Sequence, residues 1–159
     1  MTATTLDLID RKIVSALMQD ATQPIGRIAD QVGLSQTPCW KRIQKLEAAG
    51  VLTGRVAIAD PAKLGLGLTV FAGVEAPDHS PEWRAGFERA LAAMPEVREV
   101  YRMAGVYDYL LQIIARDVGA FDEFYKRLTT MVTVKSCSSL FVLERLKATP
   151  GYPVDTSTR

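Results

Sequence analysis

Histidine and cysteine are scarce in this chain, and long apolar runs are missing. One histidine, His79, and two cysteines, Cys39 and Cys137, are all that 159 residues provide. The cysteines stand about a hundred residues apart, which fits neither a disulfide framework nor a zinc pattern. No run approaches the ~18 apolar residues of a membrane-spanning helix. The opening "MTATTLDLIDRK" carries two aspartates where a secretory signal needs a basic patch and an apolar core. A soluble, cytoplasmic protein without metal, cofactor or membrane association is expected. There is no glycine-rich phosphate loop, Cys/His metal set or nucleophile elbow. No catalytic residue is therefore assigned, and an enzyme is not expected. His79 falls in "PDHSPEW" and reads as a solvated loop residue. An excess of one charge sign is also missing, the net charge being +1. That balance excludes little, because a nucleic-acid partner needs only a local basic face.

What is present is the composition of a folded chain, 48% hydrophobic and 23% charged, with room for one ordinary domain or two small ones. "LDLIDRKIVSALM" sets Leu6, Ile9, Ile13, Val14 and Leu17 at helical spacing, with Asp7 as cap and Asp10 in the positive first turn. Pro24 suits the first turn of a second helix, "PIGRIADQV", which Gly33 ends. Ser35 caps a third helix running to about Ala49, where Gly50 stops it. Three short helices with a tight turn between the second and third make a helix-turn-helix unit. "VLTGRVAIADP" reads as extended segments around a turn at Thr53-Gly54. From Leu68 onward the pattern is strand, helix, strand, strand, helix, strand, the order of a ferredoxin-like α+β sandwich. The tail after Pro150 is expected to fray.

The strands are apolar on both faces. Val70, Ala72 and Val74 alternate with Phe71 and Gly73, Leu111 and Ile113 with Leu110 and Ile114, and Leu140 and Val142 with Phe141 and Leu143. Two helices cover only one face, and a large uncovered apolar patch marks an interface. An isologous dimer built sheet to sheet is expected.

The third helix divides by its own geometry. At 100° per residue, Cys39, Ile43 and Leu46 fall in a narrow arc and form a core face. The other side carries Thr37, Lys41, Gln44 and Lys45, with Ser35 and Gln36 near the N-terminus and Trp40 and Arg42 on the flanks. Lys41, Arg42, Lys45 and Arg55 against Glu47 give the stretch a local charge of +3. Short polar residues at a helix N-terminus with cations behind them suit major-groove entry: Gln and Thr reach base edges, Lys and Arg meet phosphates. A lysine-rich solvated face produces the same pattern. The candidate DNA-binding residues are Ser35, Gln36, Thr37, Lys41, Arg42, Gln44, Lys45 and Arg55. Trp40 reads as flank packing and Cys39 as core filler without a reason for thiol reactivity.

Three stretches, "LDLIDRKIVSALMQDA", "RIADQVGLSQTPCWKRIQKLEAAGVLTGRVAIADPAKLG" and "EVYRMAGVYDYLLQI", resemble the Lrp/AsnC family of transcription regulators, also called feast/famine regulators, from about Leu6 to Lys147. The resemblance implies a winged helix-turn-helix over residues 1–53, a linking strand over 54–66, a ferredoxin-like effector and oligomerisation domain over 67–148, and a tail over 149–159. It also implies double-stranded DNA as partner, dimers that assemble further, commonly to octamers, and regulation by an amino acid or its catabolite.

"MAGVYDY" lies between the second and third strands of the sandwich. Gly105 there supplies backbone freedom for a tight turn and can bring amides near a carboxylate. From the sequence alone, Asp108 reads as an Asx-type cap of the turn. In proteins that this chain resembles, the equivalent loop lines a small-molecule pocket between subunits, which makes Met103, Ala104, Gly105, Val106, Tyr107 and Asp108 candidate effector residues. A free amino acid fits, its carboxylate on the turn amides and its ammonium on a carboxylate. Ser139 joins them as one of two positions, with Cys137, where family members often carry hydroxyl residues. "MVTV" at Met131 to Val134 replaces the family's Leu-Pro-Gly-Val turn, and Thr22 stands where an Arg is usual. Some proteins resembling this family are sirohaem decarboxylases; those rely on several histidines, and this chain has one.

Overall fold

The computed structural model describes residues 5–149 and 151–157. The first four residues of the expected N-terminal domain, Pro150 where the tail begins, and the last two residues lie outside the described set. The chain divides into two compact units.

The first unit is three helices, α1 (Leu8–Gln19), α2 (Ile25–Val32) and α3 (Gln36–Ala48). A reciprocal capping box starts α1: the Asp10 amide donates to Asp7 Oδ1 at 2.8 Å, and the Asp7 amide to Asp10 Oδ2 at 3.3 Å. Pro24 is the N-cap of α2 rather than its first helical residue. Gly33, at φ 74°, takes the left-handed cap that lets α3 follow α2 after a single turn. Gly50, at φ 69°, stops α3. Ile13, Ile28, Cys39, Ile43 and Leu46 fill the centre. The arc expected on α3 is the one that is buried.

Part of the C-terminal tail expected to fray is packed instead, at Gly151 and Val154. Val154 packs against this same helical core, and Gly151 lies so close to α1 that a β-carbon there would stand 3.2 Å from Met18 Cβ. Partial burial of an apolar residue against the small three-helix core offsets part of the cost of ordering these tail residues.

The second unit is β1 (Leu68–Glu75), α4 (Pro81–Ala92), β2 (Val97–Arg102), β3 (Tyr109–Ala115), α5 (Val118–Met131) and β4 (Ser136–Phe141). The sheet is antiparallel in the order β2-β3-β1-β4, the ferredoxin-like arrangement. Ser80 and Asp117 cap α4 and α5, accepting from the amides of Trp83 and Ala120. Val70, Ala72, Val74, Leu111 and Ile113 are buried with Phe87, Phe124 and Leu128 of the helices. Phe71, Leu110, Ile114 and Leu140 stand on the other face, half-buried or exposed, so the two-sided apolar pattern is real.

Two expected strands differ. The last strand stops at Phe141: Phe141 pairs with Val70, and one further bond joins the Val142 amide to the Thr69 carbonyl at 3.0 Å, with no ladder beyond it. Residues 53–60 form no ladder within the chain, so the turn at Thr53-Gly54 joins no hairpin and the linking segment has no strand neighbour here. Val56 and Ile58 are 87% and 78% exposed. Extended chain becomes a strand only when another strand takes its N–H and C=O groups.

Candidate nucleic-acid interface and effector loop

The turn at Gly33 places the N-terminus of α3 on the surface. Ser35, Gln36, Thr37, Lys41, Gln44 and Lys45 are all exposed. Ser35 occupies the N-cap position, and its hydroxyl makes no capping bond. Gln36 lies against Gly26 of α2, where a β-carbon would come within 2.7 Å of its amide nitrogen. Burial pushes the Cys39 thiol up, away from reactivity.

Three members of the expected set are engaged within the protein. Arg42 reaches across to α1, its Nη1 at 2.6 Å from Asp7 Oδ2 and 2.7 Å from Asp10 Oδ1. Asp10 is the one buried charged residue of the described chain, at 8% exposure, so its pairing with Arg42 is the condition for burying it. The backbone amide of Asp10 and the Arg42 guanidinium hold the Asp7 carboxyl below its usual range, and Asp7 followed by Asp10 push the guanidinium up. Arg42 thus clamps α1 to α3 instead of facing outward with Lys41 and Lys45. Arg55 pairs with Glu47 at 2.9 Å, and the Gln44 amide donates to the same carboxylate at 3.0 Å. Both of these stay on the surface.

At the effector end, the Met103 amide donates to the Asp108 carbonyl at 2.8 Å, and the Asp108 amide to the Val74 carbonyl at 3.0 Å. The Asp108 carboxylate accepts from the Ala76 amide through Oδ2 at 2.8 Å. Asp108 therefore ties its loop to the chain leaving β1, a bond across the fold rather than the Asx-type cap of its own turn that the sequence suggests. Its Oδ1 faces His79 Nε2 at 3.9 Å. Next to them Glu75 receives Lys135 Nζ at 2.9 Å and Ser136 Oγ at 2.6 Å, and these two, Ser136 foremost, hold its carboxyl below the usual range. The "MVTV" turn is anchored by Trp83, whose indole N–H donates to the Thr133 carbonyl at 2.6 Å.

The loop also departs from expectation. Gly105 has neither a left-handed φ nor any atom within 4 Å of where a β-carbon would stand, so the turn does not demand glycine there. Met103, Ala104, Gly105 and Val106 are exposed, and Tyr107 and Asp108 are half-buried. Ser139 is not brought to the loop. It pairs with Ala72, and Cys137 with Val74, on the helix-covered face, whereas Tyr107 lies against Gly73 on the other face. Register decides this, because opposite residues of an antiparallel pair share a face.

Glu75 and Lys135 are neighbours of the loop that the sequence did not single out, and His79, an exposed loop residue as expected, stands beside them. The signal was available: antiparallel pairing sets the end of β1 beside the start of β3. A cavity of ≈ 600 Å³ lined by Glu96, Arg116, Glu123 and Arg127 opens at the opposite end of β3. Among the described residues no helix is long and apolar enough to cross a membrane.

The Arg42 clamp has a pH signature. Arg42→Ala is expected to destabilise the protein by about 1–3 kcal/mol at neutral pH. The folded Asp7 carboxyl titrates lower than the unfolded one, so its contribution is full above the unfolded value and is lost as pH falls through the folded one, roughly from pH 5 downward. Urea denaturation between neutral and acid pH measures both: the wild type converges on the variant in acid. A constant gap across that range contradicts the clamp.

Comparisons with known proteins follow this geometry closely. The AsnC-type helix-turn-helix domain matches residues 6–47 and the Lrp/AsnC ligand binding domain residues 69–152. The Escherichia coli K12 DNA-binding transcriptional activator DecR is 44% identical, over 94% of this chain and 99% of its own. An AsnC family transcriptional regulator from Agrobacterium tumefaciens superposes with a TM-score of 0.91 at 42% identity, over 96% of this chain and 100% of its own. A Neisseria meningitidis transcriptional regulator solved as a complex with L-Met gives 0.90 at 32% identity, over 95% and 98%. With the helical unit and the four-stranded sandwich each matched by the corresponding family model, the chain belongs to the Lrp/AsnC family of transcription regulators.

Proposed function

We propose that this protein is a sequence-specific DNA-binding regulator, not an enzyme, whose DNA binding or assembly responds to a free amino acid or a close catabolite. The observation that carries it is the exposed face of α3, where Ser35, Gln36, Thr37, Lys41 and Lys45 emerge straight after the Gly33 turn. Gln36 and Thr37 meet base edges, and Lys41 and Lys45 meet phosphates. Gln44 and Arg55, held together on Glu47, flank that face. Arg42 serves it from behind by fixing the helix. In this reading residues 1–53 bind DNA, 54–66 link, 67–148 bind effector and assemble, and 149–159 form the tail. The cell compartment is the cytoplasm.

The effector site is built on Met103 to Asp108. Asp108 Oδ1, next to His79, suits an ammonium, and the turn amides suit a carboxylate. Support comes from the L-Met complex of the Neisseria relative. Ser139, on the helix-covered face of the sheet, is left out of this site. The half-exposed face with Phe71, Leu110 and Leu140 is the proposed dimer surface, so the protein is a homodimer that associates further, to an octamer in the family's common form. An effector shifts these assemblies only by binding them unequally.

For Lys41→Ala and Lys45→Ala, DNA affinity is expected to fall on every sequence, with the salt slope dropping by about one per lost phosphate contact. Gln36→Ala and Thr37→Ala are expected to relax sequence preference instead. Fluorescence titration on specific and scrambled duplexes separates these effects, and unchanged affinity in all four places a different face in the groove.

Asp108→Asn keeps an acceptor for the Ala76 amide and removes the charge, so it is expected to bind DNA normally and lose the effector response. A thermal-shift screen of the twenty amino acids on wild type and variant reads this. An unaltered response in Asp108→Asn removes the carboxylate from the site, and a tetrapyrrole absorbance band in the purified protein points to the decarboxylase chemistry instead.

Sedimentation at micromolar concentration is expected to show a dimer or larger species. A monomer there rules out the sheet-to-sheet interface.

A further inference from the structure

Gly73 lies in the middle of the central strand, paired with Leu110 on one side and Ser138 on the other. Its neighbours Ala72 and Val74 are buried on the helix side, so a side chain at 73 would rise from the opposite face. The Tyr107 ring is there. A β-carbon on Gly73 would stand 2.5 to 2.6 Å from Cδ2, Cε2 and Cγ of that ring. The obstacle is the body of a ring, unlike the amide tip of Gln36 that meets Gly26. The backbone itself makes no demand, since Gly73 is not among the glycines with positive φ. Glycine in mid-strand is unfavourable, and where it occurs it marks the close approach of another group.

The loop that Tyr107 belongs to is tied to this strand at three points. The Val74 carbonyl accepts the Asp108 amide, the Ala76 amide donates to the Asp108 carboxylate, and the bare face at Gly73 receives Tyr107. The four residues before Tyr107 are exposed, so its ring is the one side chain between Met103 and Tyr107 that turns in.

We propose that Gly73 is a positioning residue for the effector loop: lacking a side chain, it seats the Tyr107 ring, and the seated ring holds residues 103–108 in the form that takes the amino acid. The proposal rests on the reading of that loop as the effector site. The ring shares a sheet face with Phe71, Leu110 and Leu140, so the same seat joins the effector loop to the proposed dimer surface.

The test uses full-length Gly73→Ala, Tyr107→Ala and the double variant. Hydrogen exchange needs no amino acid. Gly73→Ala is expected to speed exchange of the Met103 and Asp108 amides about tenfold or more, while Leu111 and Ile113 keep their protection. In the double variant the added methyl meets no ring, so its exchange matches Tyr107→Ala. DNA titrations with each of the twenty free amino acids supply the second reading. A response seen in wild type is expected to need about tenfold more of that amino acid in Gly73→Ala, with DNA affinity in its absence unchanged.

Wild-type exchange at both amides in Gly73→Ala overturns the seat, as does a double variant more perturbed than Tyr107→Ala. A wild-type amino-acid response in Gly73→Ala overturns the positioning role. If Gly73→Ala fails to fold, folding of the double variant supports the seat and its failure refutes it. If no amino acid affects the wild type, the effector reading falls, and the exchange data still decide whether the ring is seated by Gly73.

Discussion

A buried carboxylate needs a cation, and in the first unit that need organises the helices. Asp10 sits in the opening turn of α1 with little exposure; it is tolerated there because its own capping partner, Asp7, and Arg42 of α3 complete a three-residue network. Arg42 lies one residue after Lys41 on the helix. Drawing Arg42 inward therefore rotates Lys41 and Lys45 outward, and the apolar arc of Cys39, Ile43 and Leu46 settles on the core at the same rotation. Packing and ion pair agree on one orientation of the helix, and that orientation exposes the polar N-terminal residues.

Periodicity made most of the architecture legible. Capping residues, helical stripes and alternating strands were enough for the element order, and the wheel of α3 separated core from surface correctly. What stayed hidden depends on pairs that are far apart in sequence. Arg42 reads as one more cation of a basic helix until α1 is laid beside it. Ser139 reads as a loop partner until register sets it opposite Ala72. The expected fraying of the tail overlooked Val154, a single apolar residue whose burial no local pattern announces. The segment around Val56 and Ile58 has strand composition, but composition alone supplies no hydrogen-bonding neighbour.

The glycines show the same limit. Gly33 and Gly50 are recognisable from their places after helical stripes, and both take the left-handed conformation. Gly105 sits in the motif-bearing turn and attracts the same explanation, yet its geometry asks nothing of it. Gly73, inside a strand where glycine is usually a weakness, is the one that matters sterically. Its reason is a ring thirty-four residues later, a relation visible only when β1 and the loop before β3 are side by side.

The helical unit is assembled from segments on either side of the sandwich in sequence, since the chain from Leu146 onward belongs with α1, α2 and α3. A protein is made from its N-terminus, so the three helices leave the ribosome before the sandwich and wait while all of it is synthesised. Only then does Val154 arrive to finish their core. The helical unit, begun before the sandwich, is consequently completed after it, and during synthesis it passes through a stage in which Met18 and its neighbours have no tail to cover them.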